Sequence, residues 1–296
     1  MTLSEAILEF MIDQRTRGNS AATLSYYDNV LSFFSDFAGN IELIDLTLPL
    51  CRQYYLKLSD SGIKSVSIQS YIRGLRAFLN WLYRNEYIDT DICNKFRLPK
   101  ATREIIDILT DEEIHHLFSS IGNRSWLALR NRLIIALMLD SGLRRHEVVT
   151  LTMSSVYFKD RYIIVKQGKG DKQRIVPFGE FTADILARYL KATEFNKDRE
   201  ALLIKVSDNR YGWDPITDVT LKQLFRKLKR RTGISKLHPH LLRHTFATRY
   251  LENGGNIYTL QAILGHTSLE MVKRYLHLAS TRIRRDFPQF SPLDNL

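Results

Sequence analysis

The residues best equipped for chemistry lie close together near the end of the chain. His238, His240, Arg243 and His244 come first, His266 follows a glycine, and Tyr275 and His277 close the stretch. Pro239 suits the first turn of a helix, where its missing N–H costs nothing, and Gly254-Gly255 stops that helix. His240, Arg243, Ala247 and Tyr250 recur at helical spacing, so His240 and Arg243 share a face. His240 also falls in the first turn, where free backbone N–H groups and the helix dipole attract an anion. A second helix, about Ile257 to Leu264, ends at Gly265 and leaves His266 just beyond its cap. Thr267 to Glu270 reads as a capping box that starts a third helix, and that helix carries Tyr275. Taken together these types read as a phosphate site with Tyr275 as nucleophile.

Plainer readings compete. His238, His240 and His244 have spacing that suits zinc ligands. A metalloprotease version needs glutamate beside the first histidine, and this chain has Leu241 there. A lone tyrosine on an amphipathic helix is by default a core residue. The company of His266, Arg243 and His240 argues for chemistry at Tyr275 instead.

Other elements must position this stretch. Leu133 to Leu139 is apolar on all sides, which marks a buried helix. It ends at Ser141-Gly142 and passes directly into Leu143-Arg144-Arg145-His146-Glu147, so Arg144 sits on a turn fixed by a buried element. Stabilising developing charge needs that rigidity, although a surface arginine at a helix start has the same local sequence. A β-hairpin follows, Arg161 to Gln167 and Gln173 to Phe178, the second run carrying Ile175, Val176 and Phe178. Gly168-Lys169-Gly170-Asp171 forms its tip. Lys169 is there either a solvated lysine or a general acid. A helix covers Asp184 to Leu190, a strand Ala201 to Val206 and a polar loop Ser207 to Asp214. Thr220 to Arg231 is strongly basic through Lys222, Arg226, Lys227, Lys229, Arg230 and Arg231, anchored by Leu221, Leu224, Phe225 and Leu228. It reads as a phosphate-contacting helix or as an ordinary solvated one.

Composition limits the partners. A net charge of +11 over 296 residues points to an anionic partner, with nucleic acid first. With 44% hydrophobic residues a sizeable core can form. Cys51 and Cys93 provide neither a disulfide framework nor a metal pattern. Glu5, Glu9 and Asp13 interrupt the first apolar stretch, so it is no signal peptide, and the longest apolar run is too short to span a bilayer. The expectation is a soluble cytoplasmic protein with no membrane association.

Residues 1–92 read as a helical bundle: Leu3 to Arg15, Ser20 to Ala38, about Leu48 to Leu58, and about Ser67 to Tyr83. The last has a stripe of Ile68, Ile72, Leu75, Leu79 and Leu82. Lys64, Arg73, Arg76 and Arg84 lie off that stripe and suit either solvent or DNA phosphates. Residues 93–107 read as a linker, and 108–296 as a second domain. That domain starts with a capping box at Thr110 and Glu113.

With these residues in view the chain resembles the tyrosine recombinases, the integrase and Xer-type site-specific recombinases. Gly142 to Glu147 is similar to their first arginine box, Gly168-Lys169-Gly170 to their hairpin lysine, and His240-Leu241-Leu242-Arg243-His244 to their H-x-x-R box. Leu264-Gly265-His266 and Tyr275-Leu276-His277 match their last histidine and nucleophile. The resemblance covers about residues 108 to 280, and the N-terminal bundle is similar to the family's core-binding, SAM-like DNA-binding domain. It implies a mainly α fold with a small antiparallel β-sheet, in two domains: the N-terminal helical bundle and a C-terminal α+β catalytic domain. It implies that Arg144, Lys169, His240, Arg243, His266 and Tyr275 are catalytic, with Glu147 orienting Arg144 or His240. DNA-contacting positions are then Arg73, Arg76, Lys222, Arg226, Lys229 and Arg230. Tyr275 attacks a phosphodiester and forms a 3′-phosphotyrosyl bond, needing neither metal, ATP nor other cofactor. Strand exchange implies a homotetramer on two DNA duplexes, with accessory proteins as further candidate partners. Ile283, Phe287 and Phe290 mark a tail for docking on a neighbouring protomer. A type IB topoisomerase-like nicking-closing enzyme, or a non-catalytic DNA-binding protein, uses the same scaffold. Integration, excision, transposition and dimer resolution are not distinguished.

Overall fold

The structure, a computed structural model, describes residues 1–97, 107–166, 173–207, 212–266 and 268–276, without the side chains of Arg274 and Leu276. Lys169, Thr267 and the tail with Ile283, Phe287 and Phe290 lie outside the described residues. The chain divides into two compact units, Met1–Glu104 and Ile105–Leu296. It is mainly helical with a small antiparallel sheet.

The first unit is built on four helices, α1 (Leu3–Thr16), α2 (Ala21–Ala38), α3 (Leu48–Asp60) and α4 (Ser65–Arg84). Thr2 and Glu5 form a capping box at the start of α1, and Ser20 caps α2. The stripe expected on α4 is buried at every position: Ile68, Ile72, Leu75, Leu79 and Leu82. Each such side chain contributes ~1.5–3 kcal/mol, enough for this bundle to hold its own core. Phe10 packs edge-on against Tyr27, Phe78 and Trp81, with ring centroids 5.1, 5.4 and 5.5 Å apart. A short helix, α5 (Ile92–Lys95), is capped by Asp91 and buries Ile92 and Phe96 in the same core. The helical unit therefore continues past residue 92, where the periodicity stops. One turn is too short to show a period, and only burial reveals it.

The second unit comprises α6 (Asp111–Ser120), α7 (Trp126–Asp140), α8 (Arg145–Val149), β1 (Val156–Tyr157), β2 (Tyr162–Lys166), β3 (Gln173–Pro177), α9 (Glu180–Ala192), β4 (Ile204–Val206), β5 (Trp213–Pro215), α10 (Asp218–Thr232), α11 (Pro239–Glu252), α12 (Ile257–Leu264) and α13 (Glu270–Leu276). The capping box at Thr110 and Glu113 opens α6. α7 buries Leu129, Leu133, Ile134, Ile135, Ala136, Leu137 and Met138, as its all-round apolar sequence requires, and packs against α9 and α11. β1, β2 and β3 form one antiparallel sheet, with Ile163 opposite Val176 and Val165 opposite Arg174. β4 and β5 pair antiparallel, so Trp213 and Asp214 belong to a strand, not to the polar loop expected over Ser207 to Asp214. No helix among the described residues is long and apolar enough to cross a membrane.

Candidate active site

The site is organised by the C-terminal end of α12. A helix leaves its last carbonyls without intrahelical partners, and its dipole makes that end negative. Gly265, at φ 63°, ends α12 in the left-handed conformation that glycine adopts freely. Three arginines, distant in sequence, then take three successive carbonyls. Arg174 Nε donates to Ile263 O at 2.7 Å, Arg243 Nη2 to Leu264 O at 2.7 Å and Arg144 Nη2 to Gly265 O at 3.1 Å. The helix end thus gathers guanidinium groups from the start of α8, from β3 and from α11.

Glu147 holds two of these cations. Its Oε1 accepts from Arg144 Nη1 at 2.9 Å and from Arg174 Nη1 at 2.8 Å. Its Oε2 accepts from the Arg144 backbone N–H at 2.7 Å and from Arg174 Nη2 at 2.7 Å. Burial by itself raises the Glu147 carboxyl. The hydrogen bonds and charge of Arg174, with those of Arg144, outweigh it and hold the pKa at about 2. The carboxylate is therefore ionised across the ordinary pH range. Of the two roles expected for Glu147, its hydrogen bonds carry the one toward Arg144; none of them goes to His240.

Arg243 is 4% exposed. Its Nη1 donates to Gly142 O at 2.5 Å, and its Nη2 lies 2.9 Å from His266 Nε2. Burial first, then Arg144, lowers its pKa to about 10, so it remains a cation at neutral pH. His266 is lowered to about 4, first by burial and then by Arg243, Arg144 and Arg174, and is neutral. His240 stands exposed at the first turn of α11. Partial desolvation and the charges of Arg243, His238, Arg145 and Arg144 lower its pKa.

Tyr275 lies beside this group but is turned into the protein. It is 4% exposed, and its hydroxyl is 2.7 Å from His244 Nδ1. It is carried by α13, which packs on α11, the helix that carries both His244 and Arg243. A small satellite core of Ala247, Leu251, Leu260, Leu264, Val272 and Tyr275 holds α13 onto α11 and α12.

The structure thus brings together Arg144, Glu147, Arg243 and His266, with Tyr275 on the adjoining α13; His240 is exposed, its ring centroid 6.5 Å from that of His244. His244 and Arg174 belong to the same cluster; His244 was read from sequence only as a zinc candidate and as the end of the H-x-x-R box, and Arg174 was not singled out. Arg174 did leave a signal: along β3 it shares the inward parity of Val176, whereas Ile175 is 62% exposed. An arginine on the apolar face of a strand calls for a buried acceptor. Of the three histidines of the zinc reading, His238 has Nδ1 within 2.6 Å of Lys236 O and His244 has Nδ1 2.7 Å from the Tyr275 hydroxyl. Among the described residues no group of three or more His, Cys, Asp or Glu is placed to hold a metal ion. Of the expected DNA-contacting residues, Arg73, Lys222, Arg226, Lys229 and Arg230 are exposed. Arg76 is instead directed at the carbonyl of Phe96, where it ties α5 to α4.

Two arginines meeting at one helix end, one of them bonded to a histidine, with a tyrosine on the adjoining helix, on a mainly helical unit that follows a separate helical bundle, define a tyrosine-recombinase type of site. Residues 107–282 match the phage integrase family, and residues 2–98 match the phage integrase SAM-like domain. A tyrosine recombinase XerC of Listeria innocua is 30% identical over 307 residues, covering 98% of this chain and 97% of that protein. A tyrosine recombinase XerD of Halalkalibacterium halodurans is 29% identical over 297 residues, covering 98% and 99%. Among solved structures, the Tn1549 transposon integrase in complex with a circular intermediate DNA superposes with a TM-score of 0.78 at 22% identity, covering 96% and 99% of the two chains. XerH bound to a palindromic difH substrate superposes with a TM-score of 0.73 at 22% identity, covering 93% of this chain and 82% of that one. The chain belongs to the phage integrase family and is a tyrosine recombinase, an enzyme of site-specific recombination.

Proposed function

We propose that this recombinase cuts and rejoins duplex DNA at a specific site through a covalent bond to Tyr275. The phenol oxygen attacks the scissile phosphorus. As the new O–P bond forms, the bond to the 5′ bridging oxygen breaks, leaving a 3′-phosphotyrosyl linkage and a 5′-hydroxyl. Arg144 and Arg243 hold the non-bridging oxygens, for which a planar fork of N–H donors suits a charged phosphate. His240 and His266 hydrogen-bond the phosphate or take up the proton that the phenol loses, and Lys169 protonates the leaving oxygen. Because the phosphotyrosine conserves the bond energy, rejoining requires neither metal nor nucleotide.

The convergence of Arg144, Arg243 and His266 at the end of α12, with Tyr275 on the adjoining α13 against His244, carries this reading. The Tn1549 integrase and XerH were both solved on DNA, which supports DNA as the partner here. With the phenol 4% exposed and bonded to His244, the enzyme is in a waiting state. The small core beneath α13 lets that helix shift and present Tyr275 once DNA occupies the arginines. Exchange of strands between two duplexes takes four such sites, so a homotetramer acting in the cytoplasm follows.

Duplexes carrying a nick near the cleavage point, enriched from a randomised pool by gel shift with this protein, test the reading. The wild type forms an adduct that survives denaturant, and Tyr275→Phe forms none. Arg243→Ala keeps DNA binding and loses cleavage by roughly 100-fold or more, as for removal of an oxyanion donor. An adduct persisting in Tyr275→Phe, or no adduct with any enriched duplex, would overturn it.

A further inference from the structure

Arg174 lies too deep to meet a substrate. It is 8% exposed, and each of its three nitrogens donates to the protein: Nε to Ile263 O, and Nη1 and Nη2 to the two oxygens of Glu147. Glu147 in turn holds Arg144 by one side-chain bond and one backbone bond. A carboxylate offers about four lone-pair positions. Arg174 occupies one on each oxygen, and the Arg144 backbone N–H takes a third. Toward Glu147 the Arg144 guanidinium is left with a single contact, to Oε1; with Nη2 on Gly265 O it still has donors to spare, and its side chain is 35% exposed.

We propose that Arg174 is a positioning residue for DNA cleavage, which keeps the Arg144 guanidinium free for phosphate by occupying Glu147 and tying it to the end of α12. This rests on the phosphotyrosyl reading above. Without Arg174 the buried carboxylate has one cation left. Arg144 then swings into a two-pronged pair with Glu147, because an ionised carboxylate in a poorly solvated site takes every donor within reach. The phosphate loses its first arginine even though Arg144 is still present. The charge of Arg174 acts in the same place, since with Arg243 and Arg144 it helps keep His266 neutral.

Single-turnover cleavage of the nicked duplex, measured across pH beside DNA affinity, tests this in Arg174→Gln, Arg174→Lys, Glu147→Gln and the Glu147→Gln/Arg174→Gln pair. In Arg174→Gln the cleavage rate falls on the order of 10- to 100-fold, as for a misplaced catalytic group, while DNA affinity changes less than about twofold. Its acid limb moves to higher pH as His266 regains proton affinity. Arg174→Lys keeps the charge without the fork, so its acid limb stays near that of the wild type while its rate is reduced. The double variant loses less than the product of the two single losses, because the unpaired carboxylate is gone. Wild-type cleavage by Arg174→Gln, parallel loss of binding and cleavage, or multiplicative losses in the double variant would each reject the proposal. Should Arg174→Gln fail to fold, the lysine variant decides: full wild-type rate rejects the proposal, and a reduced rate with intact binding supports it. A wild type that forms no adduct instead sinks the phosphotyrosyl reading itself.

Discussion

At the scale of single residues, His266 shows how an environment assigns a role. A guanidinium has no acceptor, so the 2.9 Å approach of Arg243 Nη2 makes His266 Nε2 the acceptor and puts the ring proton on Nδ1. That Nδ1 is buried with no hydrogen-bond partner among the described residues. A buried unmet donor costs about 1–3 kcal/mol. The His266 pKa is lowered from 6.5 to about 4. Between those values the unfolded chain binds more protons than the folded one, so stability rises with pH across that window. The contribution is full above pH 6.5 and is lost as pH falls to about 4. Thermal midpoints between pH 7.5 and 4 are expected to fall steeply for the wild type and more gently for His266→Gln. Parallel curves for the two proteins would mean that His266 does not titrate in this way.

At the scale of elements, the junction between α7 and α8 fixes the first arginine. Gly142 has φ 61°, which favours glycine, and its carbonyl receives Arg243 Nη1. A Cβ at this position would lie 2.4 Å from Phe246 Cδ1 and 3.0 Å from Leu264 Cδ2. Both neighbours are rigid or packed groups, so they must move. Gly142→Ala is expected to destabilise the second unit by roughly 2–4 kcal/mol, from left-handed strain together with overpacking. Cleavage should fall further than stability explains, because the carbonyl that holds Arg243 shifts. Chemical denaturation compared with adduct yield at a temperature where the variant is folded measures both, and an unchanged denaturation midpoint would contradict the packing argument.

At the scale of the whole molecule, a net charge of +11 must be placed somewhere useful. α10 exposes Lys222, Arg226, Lys227, Lys229, Arg230 and Arg231 while Leu221, Leu224, Phe225 and Leu228 anchor it. Its face therefore carries cations with no role in the core, except that Arg231 also donates to Ser120 O at 2.7 Å. Replacing Lys222, Arg226, Lys229 and Arg230 by glutamine should weaken DNA binding and reduce the slope of log affinity against log salt by ~0.9 for each phosphate no longer neutralised. Cleavage of saturating DNA should persist, since these side chains lie outside the arginine cluster. An unchanged salt slope would mean that this face does not meet DNA.

Much of this protein could be read along the chain, because the forces involved are local. Helical spacing marked the α4 stripe and the buried α7, capping residues marked the start of α6, and Gly265 marked the end of α12. The order of Arg144, Arg243, His266 and Tyr275 carried the chemistry, since few functions need those types together. What periodicity does not contain is contact between distant positions. Arg174 meets Ile263 across 89 residues, and Arg243 meets Gly142 across 101. No local pattern announces that three arginines will share the carbonyls of one helix end, or that Tyr275 will rest on His244. α5 and β5 were missed because each is too short to show a period. The sequence by itself determined which side chains are available and which elements carry them. The tertiary structure alone decided which buried acceptors they meet, because an unpaired charge in a dry site must find a partner wherever the fold brings one.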